Sequence, residues 1–384
     1  MAGDVQARMF ERWRRIDPLL PTAVPWSAAP GCGAPLIVSG PDGRPAAAGR
    51  CEHWAGPPES LDVSWGAARR FRLWAEVAGP GVASGLDGLL GRWREHLAGV
   101  PGTADPDTAA MVDWPCRDVD GVAALLRHGL APLEVLAART VPGGAGRSTG
   151  TFGKNDLDLD RGTAGGLRIR RAGPGDTRTV ARLGLEVIRW DSLFGTVTER
   201  PGTLGALEGE AVGLVAGPGP WTWLAERDGE AVGLLAAQRP EAAGWIRPFV
   251  GQSPAAYLML MFVKPGARGG GAGSALVDRF HREAGAAGVA VILLHYEQLN
   301  PLSAPFWNRQ GYRPLWTTWE ATPASVMRLR GPPSRGRSPG GSGRTATSAR
   351  TARPASAASR RPRCPPSTSV PVAARWPATA PPSR

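Results

Sequence analysis

A strand that runs into a glycine-rich turn and then into a helix constrains this sequence more than any other feature. The segment Val263–Leu276 reads VKPGARGGGAGSAL, in which Pro265 ends the strand and four glycines follow within five residues. Free backbone N–H groups at a helix N-terminus attract anions, and glycine lets a phosphate approach the backbone closely. The segment predicts a phosphate-binding turn, and the alternative is a tight turn of purely structural value.

Two common phosphate-binding loops do not fit the neighbouring residues. A Walker loop needs Lys followed by Ser or Thr after its last glycine, but Gly273 is followed by Ser274 and Ala275. A dinucleotide-binding turn needs an acidic residue about 20 residues further on. That region is the apolar run Val289–Leu294. Both readings are excluded.

The order of predicted elements around this turn indicates a mixed α/β fold. The dipeptide Asp228-Gly229 predicts a hairpin, and Asp176 is expected to cap the first helix. The helices are predicted over 177–188, 274–287 and 303–310, and the strands over 167–171, 221–226, 231–238, 256–263, 289–296 and 315–320. We expect a mixed, mostly antiparallel sheet flanked by helices.

The first part of the chain repeats this order. Asp42-Gly43 precedes Asp228-Gly229 by 186 positions, and Phe71–Val77 precedes Tyr257–Val263 by the same distance. A third segment, at 114–133, aligns without gaps on 296–315. These offsets favour a duplicated fold over chance similarity. The predicted division is a first domain at 1–141, a linker at 142–166, a second domain at 167–330 and a tail at 331–384.

The net charge of +12 is concentrated in the predicted tail. Residues 331–384 hold ten arginines and no acidic residue, so subtracting that +10 leaves +2 for the rest of the chain. A segment with so few large apolar side chains is expected to be disordered, or it is an out-of-frame extension without a function. Nucleic-acid binding is therefore not expected of the two domains. It stays an alternative for the arginine-rich tail, as weak and non-specific binding.

Cysteine spacing and hydropathy argue against a metal-binding, a secreted or a membrane protein. The four cysteines show neither a CxxC pair nor the spacing of a metal site. The N-terminus has no apolar signal-peptide core, and the longest apolar runs are six residues, too short to span a membrane. We expect a cytoplasmic protein without a metal and without membrane association.

Two motifs carry a resemblance to the GCN5-related N-acetyltransferase (GNAT) family. The hexapeptide Arg268–Gly273 matches that family's acyl-CoA signature, Arg/Gln-x-x-Gly-x-Gly/Ala, placed after a strand and opening a helix. Downstream, the segment Asn300–Tyr312 is similar to the family's Asn-x-x-(Ala/Ser)-x-x-Phe-Tyr-x-x-x-Gly-(Phe/Tyr). The resemblance covers roughly residues 167–330.

This resemblance implies a binding site for acetyl-CoA as acyl donor. Backbone amides of the turn would hold the pyrophosphate, the preceding strand would present backbone groups to the pantetheine arm, and Asn300 would bond to that arm. The implied donor-binding residues are Met261, Phe262, Val263, Arg268, Gly269, Gly270, Gly271, Ala272, Gly273, Ser274, Asn300, Phe306 and Trp307. For Phe306, packing in the core is an equally good explanation.

One position departs from the family's pattern. Many members have a tyrosine that protonates the leaving thiolate where this chain has Trp307, and an indole N–H is not a practical general acid. Tyr296 or water would have to replace it. The candidates for the general base are Glu297 and His295. For binding the acceptor amine, Asp191 and Glu186 are further candidates, in and before the loop that usually builds the acceptor pocket.

The first domain lacks the signature. No Arg-x-x-Gly-x-Gly follows Val77, and Asp118 stands in place of Asn300. By resemblance, residues 1–141 are a degenerate acetyltransferase-like half that walls the acceptor site or covers the sheet. The expected activity is transfer of an acetyl group to an amine of a small molecule by direct attack. The alternative is a non-catalytic protein that binds or senses acyl-CoA.

Overall fold

The computed structural model describes residues 2–22, 34–79, 81–142, 166–195, 197–217 and 219–327. Cys32, Cys364, nearly all of the predicted linker and the predicted tail at 331–384 lie outside the described residues.

Eleven strands form one sheet, and seven α-helices flank it in the described part of the chain. The strands are β1 Leu36–Ser39, β2 Pro45–Ala55, β3 Arg69–Val77, β4 Thr108–Pro115, β5 Ala131–Thr140, β6 Leu167–Arg171, β7 Thr222–Arg227, β8 Glu230–Gln238, β9 Ala255–Val263, β10 Val291–Glu297 and β11 Arg313–Ala321. The helices are α1 Ala2–Ile16, α2 Val82–Ala98, α3 Val122–Arg127, α4 Thr177–Asp191, α5 Thr203–Val215, α6 Ala272–Ala286 and α7 Ser303–Arg309.

The predicted fold class is confirmed. The strand order is β1-β2-β3-β4-β11-β5-β10-β9-β8-β7-β6. Only β3 with β4 and β9 with β10 pair in parallel, and every other pair is antiparallel. Each parallel pair is joined by a helix, α2 or α6, because parallel neighbours need a crossover connection.

The two halves of the chain contribute the same order of elements and exchange their last strands. The order β-β-β-α-β-α-β describes β1 to β5 with α2 and α3, and also β7 to β11 with α6 and α7. In the sheet, however, β11 lies between β4 and β5, and β5 lies between β11 and β10. Each half is therefore completed by a strand of the other.

The helices lie in two layers. Apolar residues of α6 and α2, such as Leu276 and Leu89, pack on one face of the sheet, which we call the α6 face. The opposite face, called the α4 face, is covered by α1, α4 and α5 through side chains such as Trp13, Val180 and Leu207. Because side chains alternate along a strand, neighbouring strand residues reach opposite layers.

Three local expectations differ from the structure. The helix after the glycine turn begins at Ala272 rather than Ser274. Asp176 stands at the N-cap position of α4 as expected, but its side chain does not cap the helix. Its carboxylate instead accepts from the backbone N–H of Gly173 at 2.9 Å and pairs with Arg170 at 2.7 Å. The helix α5 was not predicted, since glycines interrupt its sequence (TLGALEGEAVGLV) and break the usual pattern of a helix.

Candidate active site

The site begins where two parallel strands separate. Strands β9 and β10 pair only over 255–258 with 291–294. Beyond that point β9 follows β8 to Val263, and β10 follows β5 to Glu297. The register of β9 also shifts at Met259, a bulge that increases local twist. We call the opening between the two strands the wedge, and a cavity of about 490 Å³ lies there.

The glycine turn forms one border of this cavity. Gly269 and Gly271 adopt φ angles of 79° and 81°, a left-handed conformation that side chains with a Cβ resist. Gly271 is the N-cap residue of α6, and no side chain caps the N–H groups of the first turn. These N–H groups and the helix dipole make the start of α6 suited to an anion.

Arg268 lies on aromatic rings beside the turn. Its guanidinium carbon is 4.3 Å from the ring centre of Trp190 and 5.7 Å from that of Phe262. Its Nε donates to the carbonyl of Val263 at 3.0 Å. Burial lowers the pKa of Arg268 from its ordinary value, yet arginine stays protonated at any physiological pH. No carboxylate of the described residues forms an ion pair with it, so its charge faces the cavity uncompensated.

On the α6 face, aromatic side chains wall the cavity. Tyr296 shares a buried cluster with Trp307 and Tyr312. Trp307 is 7 % exposed and makes edge contacts with Phe306 at 4.9 Å and Tyr312 at 5.3 Å between ring centres. Burial, and secondarily the neighbouring Cys116, raises the pKa of Tyr296. Its phenol therefore keeps its proton throughout the neutral pH range.

On the α4 face, the two residues of β10 that flank Tyr296, His295 and Glu297, present polar groups. His295 Nδ1 lies 2.8 Å from the Tyr257 hydroxyl and is thereby held in place. The Glu297 carboxyl lies against the loop after α4, since a Cβ placed on Gly195 would collide with it. All three polar side chains line the cavity. Tyr296 and Glu297, adjacent in sequence, thus reach the cavity from opposite faces.

Asn300 is buried just beyond β10. Its Nδ2 donates to Asp191 Oδ1 at 3.2 Å, and its Oδ1 accepts from the backbone N–H of Leu302 at 3.1 Å. Both Asn300 and Asp191 line the cavity. Glu186, the other acidic candidate on α4, lies outside the cavity lining and pairs with Arg189 at 3.0 Å.

The structure brings nearly all predicted site residues together. Every implied donor-binding residue lines the cavity except Gly270, which lies against the guanidinium of Arg227. Sequence reasoning missed Trp65 and Glu134, two lining residues from the first half of the chain. Neither lies in a recognisable motif, and only the exchanged strand β5 brings Glu134 opposite Glu297.

The first half repeats the wedge but fills it. Strands β3 and β4 pair over 69–72 with 108–111 and then separate. There, Arg12 of α1 forms an ion pair with buried Asp118 and donates to the carbonyl of Val77 at 3.5 Å. The cavity beside this wedge measures about 10 Å³. It is too small for a ligand.

Two features are absent from the described residues. No group of three or more His, Cys, Asp or Glu side chains in them is arranged to hold a metal ion. Among their helices, none has the length and hydropathy needed to cross a membrane.

Comparison with known proteins gives one match that bears on function. The family model described as "Acetyltransferase (GNAT) family" matches residues 186–312, which run from within α4 to the residue before β11 and include the glycine turn and the two strands of the wedge. No curated protein sequence matches this chain.

Solved structures show more distant similarity. A GCN5-related N-acetyltransferase from Sphaerobacter thermophilus is 16 % identical, with a TM-score of 0.47 over 78 % of this chain and 83 % of that one. A tandem GNAT protein from the clavulanic acid biosynthesis pathway is 14 % identical, with a TM-score of 0.38 over 82 % and 95 %. A GCN5-related N-acetyltransferase from Kribbella flavida is 12 % identical, with a TM-score of 0.39 over 75 % and 88 %.

These structural similarities are too weak to say anything about activity. The match of the family model includes the signature turn and the segment that begins at Asn300. Residues 186–312 are therefore similar to the GNAT family of acetyltransferases.

Proposed function

We propose that this protein is an N-acyltransferase that moves the acetyl group of acetyl-CoA to an amine of a small molecule. The observation that carries the proposal is the cavity at the wedge, which is lined by family-matched residues except for Trp65 and Glu134 and reaches both faces of the sheet. The glycine turn borders one part of it, and Glu297 borders another. Acetyl-CoA bound in the wedge would contact an acceptor amine that enters from the α4 face.

The acyl donor fits the residues around the turn. Its pyrophosphate would bind the N–H groups at the start of α6 and the charge of Arg268. The edge of β9 beyond the wedge, at Met261 and Val263, would face the pantetheine arm, although the Val263 carbonyl already accepts from Arg268. Asn300 would have to exchange its bond with Asp191 for one to the arm.

The reaction needs a base on one face and an acid on the other. The amine nitrogen bonds to the acetyl carbon, the carbon–sulfur bond breaks, and its electron pair leaves on sulfur. Glu297 takes the proton that the acceptor ammonium loses and later passes it to solvent. Tyr296, or water, protonates the thiolate. The nitrogen loses a second proton as the amide forms, and this proton returns through solvent to the acid that protonated the sulfur. Overall, an ammonium and acetyl-CoA give an amide, the CoA thiol and one proton.

The alternative is a protein that binds acyl-CoA without turning it over. Trp307 favours this reading, because the position that many family members give to an acidic phenol is a buried indole here. Both readings share the same donor site. They differ in whether any amine causes release of the CoA thiol.

We propose that the first half has lost donor binding and serves as a wall of the acceptor site. Two observations support this. Arg12 and Asp118 occupy the wedge between β3 and β4, and Trp65 and Glu134 of the first half line the cavity of the second.

Arg268→Glu tests the donor site. The variant places a negative charge beside the pyrophosphate, so we expect acetyl-CoA affinity, measured by calorimetry, to fall at least tenfold. Arg282→Glu makes the same charge change on the exposed side of α6 and is the matched control; it should bind as the wild type does. Equal affinity of both variants would contradict the proposed donor site.

Turnover is followed separately as CoA thiol release with a panel of amines. Thiol release that is lost in Arg268→Glu supports the transferase. Saturable acetyl-CoA binding without release for any amine supports the sensor. If the wild type does not bind acetyl-CoA, both readings are wrong.

A further inference from the structure

An arginine outside the cavity lies against the glycine turn. A Cβ placed on Gly270 would lie 2.7 Å from Nη2 of Arg227, the last residue of β7. Among residues 268–274, Gly270 is the one that does not line the cavity. The guanidinium of Arg227 therefore packs on the side of the turn that faces away from the cavity.

The sheet brings Arg227 to the turn from a separate part of the sequence. Strand β8 pairs antiparallel with both β7 and β9, so β7 and β9 run in the same direction and end at the same edge of the sheet. The glycine turn follows at this edge, after Val263. Asp228, the next residue after Arg227, points instead toward the start of β6, where its Oδ1 lies 3.6 Å from a Cβ placed on Gly166.

The charge of Arg227 is unpaired within the part of the chain that the structure describes. The two glutamates nearest to it in sequence, Glu226 and Glu230, pair with Arg170 at 2.7 Å and with Lys264 at 2.5 Å. The Nε of Arg227 is buried and has no hydrogen-bond partner among the described residues. A charged donor without an acceptor is costly, and an anion beside the turn would remove that cost. The side chain as a whole is only half-buried, so an anion from solvent can reach it.

The proposed donor carries a phosphate that would lie on this side of the turn. The pyrophosphate of CoA joins the pantetheine arm to the adenosine. With the arm in the wedge and the pyrophosphate on the cavity side of the turn, the adenosine and its 3′-phosphate lie beyond the turn. A phosphate monoester has a charge of about −1.5 to −2 at pH 7, and the planar fork of a guanidinium binds two of its oxygens at once.

We propose that Arg227 binds the 3′-phosphate of CoA, so that the protein distinguishes CoA from dephospho-CoA, which lacks this phosphate. The inference rests on the proposed function. Gly270 then has a part in donor selection, because a side chain there would collide with the guanidinium. Arg309 of α7, which is exposed and lines the cavity, is a competing candidate. Arg227 is favoured because burial of its Nε already restricts the side chain, whereas an exposed arginine loses rotamer freedom on binding.

The test compares the affinities of the full-length protein for CoA and dephospho-CoA, measured by calorimetry. We expect the wild type to bind CoA about tenfold more tightly or better. In Arg227→Gln this preference should fall below about threefold, because the affinity for CoA alone decreases. Arg227→Lys keeps the charge without the planar fork and should give an intermediate preference.

Gly270→Ala tests the same contact without changing the arginine. The backbone of Gly270 lies outside the left-handed region, so alanine is allowed there, but its Cβ displaces the guanidinium. The preference for CoA should fall in this variant too. Should Arg227→Gln not fold, Gly270→Ala and the wild-type preference still decide.

The matched control is Arg282→Gln, which removes an exposed arginine near the end of α6 and should keep the wild-type preference. Loss of the preference in Arg309→Gln but not in Arg227→Gln overturns the inference. An equal loss for both ligands in Arg227→Gln, or equal binding of both by the wild type, also overturns it and leaves the donor site intact. If the wild type binds neither CoA nor acetyl-CoA, the proposed function itself is wrong.

Discussion

At the scale of single residues, one strand supplies both proton-transfer candidates. Tyr296 and Glu297 follow each other at the end of β10, and the alternation of the strand sends them to opposite faces. In the proposed reaction the thiolate would leave toward one face of the wedge and the amine would arrive from the other. A tryptophan at 307 is then compatible with catalysis, because a phenol reaches the α6 side of the cavity from a different element.

His281 gives the first prediction, about pH and stability. Its Nε2 lies 3.0 Å from the Tyr312 hydroxyl, and burial, with the charge of Arg139, lowers its pKa to about 4. The unfolded chain binds this proton near pH 6.5, so stability is full above that pH and is lost as the pH falls toward 4. Glutamine does not protonate in this range. Between pH 7 and pH 4 the free energy of unfolding of His281→Gln should therefore fall by about 1–3 kcal/mol less than that of the wild type.

Urea unfolding at a series of pH values measures this difference. Comparing the two proteins at pH 7.5 first gives the cost of the substitution itself, since neither side chain is charged there. Parallel stability curves from pH 7.5 to pH 4 would show that His281 titrates in the folded protein as it does in the unfolded chain.

At the scale of elements, the start of α6 combines a left-handed glycine with the N–H groups of the proposed phosphate site. Gly271→Ala puts a Cβ on a residue with φ near 81°, which costs about 1–2 kcal/mol or rotates the backbone away from the left-handed region. Either response disturbs the N–H groups of the first turn. We expect lower stability and weaker acetyl-CoA binding together.

The matched control is Gly285→Ala in the last turn of the same helix. Gly285 is exposed and has room for a Cβ, its nearest neighbour being Val141 at 3.9 Å, and alanine in a helix is favoured by about 0.5–1 kcal/mol over glycine. This variant should gain stability and bind acetyl-CoA normally. Calorimetry measures the acetyl-CoA affinity, and thermal unfolding measures the stability. A Gly271→Ala protein as stable as the wild type would contradict the expected cost of a Cβ at this φ angle.

What the sequence could predict depends on how local the signal is. The turn at 268–273 and the segment that begins at Asn300 are each a continuous stretch of sequence, so residue type and spacing predict them. Residues of both segments line the cavity. The offsets of 186 and 182 residues indicated repetition, and the two halves do share an order of elements. Glu134 could not be found in this way, because its place beside Glu297 depends on the exchange of β5, which leaves no trace in local pattern.

At the scale of the whole molecule, strand exchange makes the two halves interdependent. Strand β5 pairs with β10 on one side and with β11 on the other, and β11 also pairs with β4. Removing the first half would therefore leave β11 without a partner strand and expose one edge of β10, and removing the second half would do the same to β5 and β4. The halves cannot unfold one at a time without breaking the ladder that joins them.

This arrangement predicts a single cooperative unfolding transition for both halves. Leu89→Ala opens a cavity in the core of the first half, where the side chain is fully buried, and should cost about 2–5 kcal/mol. Because the transition is shared, saturating acetyl-CoA, whose proposed site lies in the second half, should raise the unfolding temperature of this variant and of the wild type alike. Scanning calorimetry distinguishes one shared transition from two separate ones. Two resolved transitions, one shifted by Leu89→Ala and the other shifted by acetyl-CoA, would mean that the exchanged strands do not couple the halves.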